Sequence, residues 1–173
     1  MAEIPLHPIA DSYWALPGKL LAGEYPGARD EREARDKVRR LLQAGVTFFL
    51  DLTEATEPLR PYAHLAREEA EAMGIAVDHR RLPIRDLSVP TAAHLETILA
   101  TIDERIGAGA VVYVHCWGGI GRTGTVVGCT FVRRGMSGEE ALAHIEALRK
   151  DTPDGWKRSP ETDDQRDTVL RFR

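Results

Sequence analysis

One stretch decides the fold of this 173-residue chain: His115-Cys116-Trp117-Gly118-Gly119-Ile120-Gly121-Arg122-Thr123-Gly124. An apolar run, residues 110–114, leads into it, and a second apolar run, residues 126–132, follows it. Glycine dominates the segment between the two runs. This pattern predicts a buried strand, a tight loop and a buried helix in succession.

The loop has the composition of an anion-binding site. Its glycines let the backbone curl so that successive N–H groups point inward, and the following helix adds the positive end of its dipole. Arg122 adds a planar fork that can hold two oxygens of one phosphate. The residues predicted to bind phosphate are consecutive: Trp117, Gly118, Gly119, Ile120, Gly121 and Arg122.

Cys116 lies at the base of this predicted cradle. The positive surroundings favour its thiolate form, which is the nucleophilic form of cysteine. A nucleophile at the base of an anion-binding loop indicates phosphoryl transfer. The alternative, a structural cysteine in a glycine-rich turn, leaves Arg122 and the glycines unexplained.

The order His-Cys, five residues, Arg-Thr-Gly resembles the signature of the cysteine-dependent protein tyrosine phosphatase superfamily, from His115 to Gly124. The size of the chain is similar to that of the compact, dual-specificity-like branch. The resemblance covers residues 46–135 and, more loosely, both flanks. It implies an α/β fold and a reaction through a phosphocysteine intermediate, with no metal and no cofactor.

The alternation of strand and helix patterns predicts the same fold class. We expect one α/β domain over residues 1–173, with a mainly parallel sheet of four or five strands and helices on both faces. Residues 1–12 form an extended lead-in in this prediction. Helices are expected to begin at capping residues Asp30, Ser137 and Ser159, the last with Pro160 in the first helical position.

A phosphocysteine mechanism needs an acid that protonates the leaving oxygen and later activates water. The candidate is Asp86, in a loop bracketed by Pro83 and Pro90 that follows a predicted strand. This loop is similar to the general-acid loop of the dual-specificity-like phosphatases. A helix-capping role is the alternative, and Asp78 and Asp154 are rival candidates.

The resemblance implies roles for three further residues. His115 would support the thiolate through hydrogen bonds, Thr123 would donate to the sulfur, and Gln165 would position the hydrolytic water. Each position has a structural alternative. His115 can simply pack at the end of a strand, Thr123 can cap a helix, and Gln165 can be a surface helix residue.

Other residues near these motifs are interpreted more plainly. Trp117 can line the pocket, although packing behind the cradle is favoured, and Trp156 can shape the rim. Cys129 is expected in the core of the helix after the loop. Glu57 and its neighbour Glu54 lie in a loop after a strand, where they can contact basic neighbours of a substrate or form a plain acidic loop.

Composition restricts the class of partner. The net charge of −4 argues against a nucleic-acid or anionic-membrane binder, and no apolar run approaches the roughly 20 residues of a membrane span. No secretory signal is evident at the N-terminus. Two cysteines make no disulfide framework, and a catalytic thiolate requires reducing surroundings, so we expect a cytoplasmic protein, a monomer by default.

The predicted function is a phosphatase acting on phosphotyrosine in proteins, with phosphoserine or phosphothreonine next. Phosphoinositide phosphatases of the family that this chain resembles carry lysines in the loop between Cys and Arg. No lysine lies between Cys116 and Arg122, so the resemblance lowers the expectation of a phosphoinositide substrate. A small phosphorylated metabolite or a nucleotide is an alternative substrate. Two other classes remain: a non-catalytic phosphate-binding module, and a sulfur-transfer or arsenate-reducing enzyme, which would not need Asp86.

Overall fold

The computed structural model describes residues 5–173. In these residues one sheet contains five strands, in the order β1-β2-β5-β3-β4. The strands β2, β5, β3 and β4 are parallel, and β1 at one edge pairs antiparallel with β2. The strands are β1 (Ser12–Leu16), β2 (Leu20–Gly23), β3 (Phe48–Asp51), β4 (Asp78–Arg81) and β5 (Val112–His115).

Helices cover both faces of this sheet, which confirms the predicted fold class. Two separate clusters of buried apolar side chains lie on the two faces, one beneath α1 and α2 and the other beneath α3 to α6. The helices are α1 (Glu31–Gln43), α2 (Ala63–Ala72), α3 (Ala92–Gly107), α4 (Arg122–Arg133), α5 (Gly138–Arg149) and α6 (Asp163–Arg171).

The strand register brings three loops to one edge of the sheet. His115, the last residue of β5, pairs with Gly23 at the end of β2 and with Asp51 at the end of β3. The carboxyl ends of these parallel strands therefore meet, and the loops that follow them emerge side by side. This is the edge at which α/β proteins form their binding sites.

Two of the three predicted helix caps are present. The Asp30 side chain accepts from the backbone N–H of Glu33, and Ser137 forms a full capping box with Glu140. Asp30 forms only half of a capping box, because the Glu33 side chain makes no bond to the backbone N–H of Asp30.

The predicted start of the last helix was wrong. Helix α6 begins at Asp163, with Thr162 as its cap and Gln165 completing a capping box. The Ser159 hydroxyl donates instead to the backbone oxygen of Ile120 at 2.6 Å, so this side chain fastens the loop before α6 to the Cys116 loop.

The lead-in falls partly outside the described residues, which begin at Pro5; within them, Ser12 already belongs to β1. Across residues 5–173, no helix combines the length and the apolar character that crossing a membrane requires.

Candidate active site

The loop between β5 and α4 forms the base of the candidate site. Cys116 is the first residue after the strand and is only 3% exposed. Arg122 is the first residue of α4, so the intervening amides lie at the positive end of that helix. A cavity of about 350 Å³ opens above the loop. Its walls come from the loop itself, from the Asp86 loop and from the segment before α6, which contributes Glu161.

Gly119 is the loop glycine that the fold requires most clearly. Its φ is +73°, in the left-handed region, and a Cβ at this position would lie 2.3 Å from the carbonyl carbon of Gly23. Gly118 is different, because its added Cβ would meet only the Ile120 side chain, at 3.6 Å. The loop therefore tolerates a methyl group at one glycine and excludes it at the next.

We expect Gly119→Ala to lower the free energy of unfolding by about 2 kcal/mol or more, since it combines left-handed strain with a backbone clash. Gly118→Ala, the matched control, is expected to change it by less than about 0.5 kcal/mol. Urea unfolding of both variants measures the difference. Equal stabilities would show that the loop does not need a glycine at residue 119.

Arg122 is held in a fixed orientation by a bidentate ion pair that the sequence did not predict. Its two terminal nitrogens donate to the two carboxylate oxygens of Glu57, each at 2.8 Å, and Nη1 also donates to the backbone oxygen of Ile84 at 3.0 Å. Arg122 is 1% exposed, and its Nε has no hydrogen-bond partner among residues 5–173. Burial opposes ionisation of Glu57, but the hydrogen bonds and the charge of Arg122, together with the backbone N–H of Glu54, outweigh burial and lower the pKa of this carboxyl.

Removing the charge of Glu57 tests this orientation. We expect Glu57→Gln to lower kcat/KM for p-nitrophenyl phosphate roughly tenfold, because the amide nitrogen of glutamine cannot accept one of the two bonds that align the guanidinium and the other bond loses its negative charge. Glu54→Gln in the same loop is the matched control, because the described contacts of Glu54 with Glu57 use only its backbone. Steady-state kinetics that gave the same loss in both variants, or none in either, would contradict the positioning role.

The Asp86 loop lies over the cradle. Asp86 Oδ1 is 3.3 Å from Nη2 of Arg122 and accepts a bond from the backbone N–H of Leu87 at 3.0 Å. The Asp86 side chain is 54% exposed, so it faces the opening of the cavity. Leu87 has a φ of 61°, a left-handed conformation that is uncommon for leucine. His94 donates from its ring to the backbone oxygen of Pro83 at 2.8 Å and fastens the start of this loop.

His115 lies beneath Cys116 and is fully buried. Burial lowers the pKa of its ring to about 4, so the imidazole is neutral at neutral pH. Its Nδ1 lies 3.1 Å from the backbone oxygen of Cys116 and donates to it. Its Nε2 is therefore the acceptor for the hydroxyl of Tyr62, whose pKa burial raises well above its ordinary value. The pair is thus neutral and fixed in one tautomer.

The buried His115 predicts a pH dependence of stability. An unfolded chain protonates this histidine near pH 6.5, whereas the folded chain does so only near pH 4. The unfolded state therefore binds more protons in this window, so the free energy of unfolding falls as the pH falls, by up to roughly 1.4 kcal/mol per pH unit. Urea unfolding between pH 7 and 5 should give a shallower slope for His115→Gln than for the control His64→Gln, an exposed position. Equal slopes in the two variants would contradict the lowered pKa of His115 in the folded chain.

A buried carboxylate lies next to this pair. Asp51 is fully buried at the end of β3 and accepts bonds from the hydroxyl and the N–H of Thr53, at 2.6 and 2.9 Å. Its other oxygen is 3.2 Å from His79 Nε2 and 3.2 Å from Arg81 Nη2. Burial opposes ionisation, yet the pKa of Asp51 is lowered, with the hydrogen bonds from His79 and Thr53 among the causes. The sequence did not single out Asp51, although its place at the carboxyl end of a buried strand was a signal.

Thr123 and Gln165 both approach the loop. The Thr123 hydroxyl is buried and has no hydrogen-bond partner within the described chain, so it does not cap α4. Gln165 is buried, and its Oε1 accepts from the backbone N–H groups of Glu161 and Thr162 at 3.1 Å. Its Nε2 donates to the backbone oxygen of Ser88 at 3.2 Å. Gln165 is thus not the surface helix residue of the alternative interpretation, and it links α6 to the Asp86 loop.

The structure separates the other candidates from the cavity. Asp78 pairs with Arg105 at 2.9 Å at the opposite end of its strand, and Asp154 pairs with Lys157 at 2.9 Å. Cys129 is buried in α4 as expected, and burial raises its pKa to about 12. Trp156 is 80% exposed and lines a different cavity, so it does not shape the rim.

Trp117 corrects the favoured expectation. Instead of packing behind the cradle, its side chain is 46% exposed and lines the cavity above Cys116. Its backbone oxygen accepts from the N–H of Tyr25 at 2.8 Å, which holds the backbone that carries the indole.

The loop from Cys116 to Arg122, between a strand and a helix, is similar to the signature loop of the cysteine-dependent phosphatases. The chain belongs to the family described as PTP-SAK, the DSP-PTPase phosphatase domain of the Swiss Army Knife protein, whose model matches residues 10–169. The resemblance to the dual-specificity-like branch is thereby confirmed.

Relatives and solved structures agree with this assignment. The chain is 30% identical over 132 residues to the phosphatidylglycerophosphate phosphatase PTPMT2 of Arabidopsis thaliana, covering 75% of this chain and 52% of that protein. It is 30% identical over 115 residues to the putative tyrosine phosphatase 067L of Invertebrate iridescent virus 3, covering 64% and 41%. The chain therefore spans about half the length of these relatives. The crystal structure of a mutant form of Tk-PTP is 26% identical, with a TM-score of 0.65 over 91% of each chain.

Proposed function

We propose that this chain hydrolyses phosphotyrosine in proteins, with phosphoserine or phosphothreonine as further substrates, through a phosphocysteine intermediate. One observation carries the proposal: Cys116, Arg122 and Asp86 line the same cavity, and Asp86 Oδ1 lies 3.3 Å from Arg122 Nη2. Nucleophile, phosphate-binding group and acid are thus within reach of one bound phosphate.

In the first step the Cys116 thiolate attacks phosphorus and the bond to the leaving oxygen breaks. Asp86 gives its proton to that oxygen, so the leaving group departs as a neutral hydroxyl. The loop amides and Arg122 hold the other phosphate oxygens, and Arg122 Nε, which has no partner within residues 5–173, is a donor for one of them. Glu57 keeps the guanidinium plane facing the cavity.

In the second step water attacks the phosphocysteine, the phosphorus–sulfur bond breaks and inorganic phosphate forms. Asp86, now a carboxylate, accepts a proton from that water. The hydroxyl of Thr123, which has no hydrogen-bond partner in the part of the chain that the structure describes, is the group we propose to donate to the departing sulfur. Gln165 donates one Nε2 hydrogen to the backbone oxygen of Ser88 and so contacts the Asp86 loop, and its second Nε2 hydrogen is the donor that would position the hydrolytic water.

An aromatic substrate suits the walls of the cavity. Trp117 and Leu87 line it with apolar surface and are 46% and 54% exposed. Such surface favours contact with a flat, apolar ring such as that of phosphotyrosine. The absence of lysine between Cys116 and Arg122 supports the same choice. Because the catalytic thiolate requires reducing surroundings, we place the protein in the cytoplasm.

A lipid phosphomonoester is the second candidate, because one relative is a phosphatidylglycerophosphate phosphatase at 30% identity over 75% of this chain. The test compares kcat/KM for a phosphotyrosine peptide with that for dispersed phosphatidylglycerophosphate. A higher value for the peptide supports the proposal. A higher value for the lipid would replace it with the second candidate.

Asp86→Ala can be used to capture the physiological substrate, because this variant retains Cys116 and Arg122 but lacks the acid. This variant is expected to retain phosphoproteins from a lysate, and vanadate, an analogue of phosphate, should release them. Retention that vanadate leaves unchanged would contradict binding through the cradle.

A further inference from the structure

A second cavity, of about 410 Å³, adjoins the one above Cys116, and Trp117 lines both. Three parts of the chain form it: residues 24–29 after β2, Lys37 on α1, and residues 58–60 in the loop that also carries Glu57. The mechanism proposed above uses none of the charged side chains of this cavity. We call it the Arg29–Arg60 cavity.

The charge of the Arg29–Arg60 cavity is positive, although the chain as a whole carries −4. Lys37 is already engaged, because its ammonium donates to the backbone oxygen of Tyr25 at 2.6 Å and lies 3.5 Å from Glu24. Lys37 and Glu24 therefore largely balance each other. Arg29 and Arg60 are exposed, and within residues 5–173 neither guanidinium forms a hydrogen bond or an ion pair.

Two free guanidinium groups in one concave site favour a planar or tetrahedral anion, because each presents a fork of donors that matches carboxylate and phosphate oxygens. The position of the cavity matters as well. A ligand that places one phosphate against Cys116 passes the exposed Trp117 indole before it reaches the two arginines. The cavity is therefore placed to bind part of the same substrate.

We propose that the Arg29–Arg60 cavity binds a second anionic group of the substrate while the scissile phosphate lies against Cys116. This inference rests on the proposed function. It narrows the substrate class to phosphomonoesters with a second negative group beside the first. Such a group is either an acidic side chain next to phosphotyrosine or a second phosphate on a small molecule, and both present the same oxygens.

Two matched substrate pairs test the inference. One is a phosphotyrosine peptide with glutamate on both sides, set against the same peptide with glutamine. The other is a sugar bisphosphate set against its monophosphate. We expect kcat/KM to favour the more anionic member of at least one pair, and the pair that shows the preference identifies the source of the anion. The preference should weaken as salt is raised, because the arginines are exposed.

Single substitutions then locate the preference. The preference is the ratio of kcat/KM for the more anionic substrate to kcat/KM for the other member of its pair. Arg29→Ala and Arg60→Ala are each expected to lower this ratio about two- to fivefold, the size of one exposed ion pair, and the double variant should lower it further. Arg67→Ala is the matched control, because Arg67 is exposed on α2 and lines neither cavity. The ratio should be unchanged in that variant.

The possible results distinguish a failure of this inference from a failure of the proposed function. If wild type hydrolyses p-nitrophenyl phosphate but prefers neither anionic substrate, the inference is overturned and the phosphatase proposal stands. A preference that survives in the double variant also overturns it. If wild type hydrolyses none of these phosphomonoesters, the proposed function itself fails.

Discussion

Cys116→Ser is expected to lower kcat for p-nitrophenyl phosphate by roughly four orders of magnitude or more. The hydroxyl of serine is a much weaker acid than a thiol, so it stays protonated in the cradle and attacks phosphorus poorly. Serine is also slightly smaller than cysteine, so the loop should keep its shape at this buried position. Substrate binding should therefore survive while turnover is lost. Steady-state kinetics with an inhibition constant for phosphate measures both.

Cys129→Ser is the matched control for loss of a thiol. Cys129 is buried within α4, and burial raises its pKa to about 12, so it supplies no thiolate at neutral pH. Activity per folded molecule should equal that of wild type. Substantial turnover in Cys116→Ser, or an equal loss in both variants, would contradict the assignment of Cys116 as nucleophile.

Asp86→Asn is expected to have the next largest effect, and the effect should depend on the leaving group. Asparagine keeps an oxygen for the Leu87 N–H but cannot supply a proton. A general acid contributes about 10²- to 10⁴-fold to the rate, and we expect kcat/KM for a phosphotyrosine peptide to fall by a factor in this range. The loss should be smaller for p-nitrophenyl phosphate, because p-nitrophenolate leaves readily without protonation.

Asp154→Asn is the control for Asp86→Asn. The sequence offered Asp154 as a rival candidate for the general acid, and its carboxylate pairs with Lys157. Both substrates should be hydrolysed at the wild-type rate by this variant. Equal losses on the two substrates in Asp86→Asn would contradict the role of acid. A leaving-group-dependent loss in Asp154→Asn would transfer that role to the later loop.

The sequence predicted the features that depend on neighbouring residues. The apolar runs around residues 115–124 predicted β5, the loop and α4, because strand, turn and helix patterns are local. The capping residue Ser137 predicted the start of α5 for the same reason. The prolines around Asp86 indicated its loop, which the structure places over the cradle.

Contacts between distant parts of the chain could not be predicted in this way. Arg122 pairs with Glu57, 65 residues earlier, and His115 pairs with Tyr62, 53 residues earlier. No spacing rule links such residues, because the strand order of the sheet brings them together. Ser159 shows the reverse case: its sequence fits a helix cap, but its hydroxyl donates to Ile120 in the cradle. Tertiary contact decided between two roles that the local sequence permits.

In the proposed mechanism Cys116 carries the phosphoryl group and Asp86 is needed to remove it. The decisive experiment mixes Asp86→Asn with p-nitrophenyl phosphate and quenches the reaction rapidly. Formation of the intermediate needs no acid with this substrate, whereas its hydrolysis lacks the base. We expect a burst of p-nitrophenolate equal to the enzyme present, with one phosphoryl group located on Cys116 by mass spectrometry. Turnover without a burst, or a phosphoryl group on another residue, would contradict the mechanism.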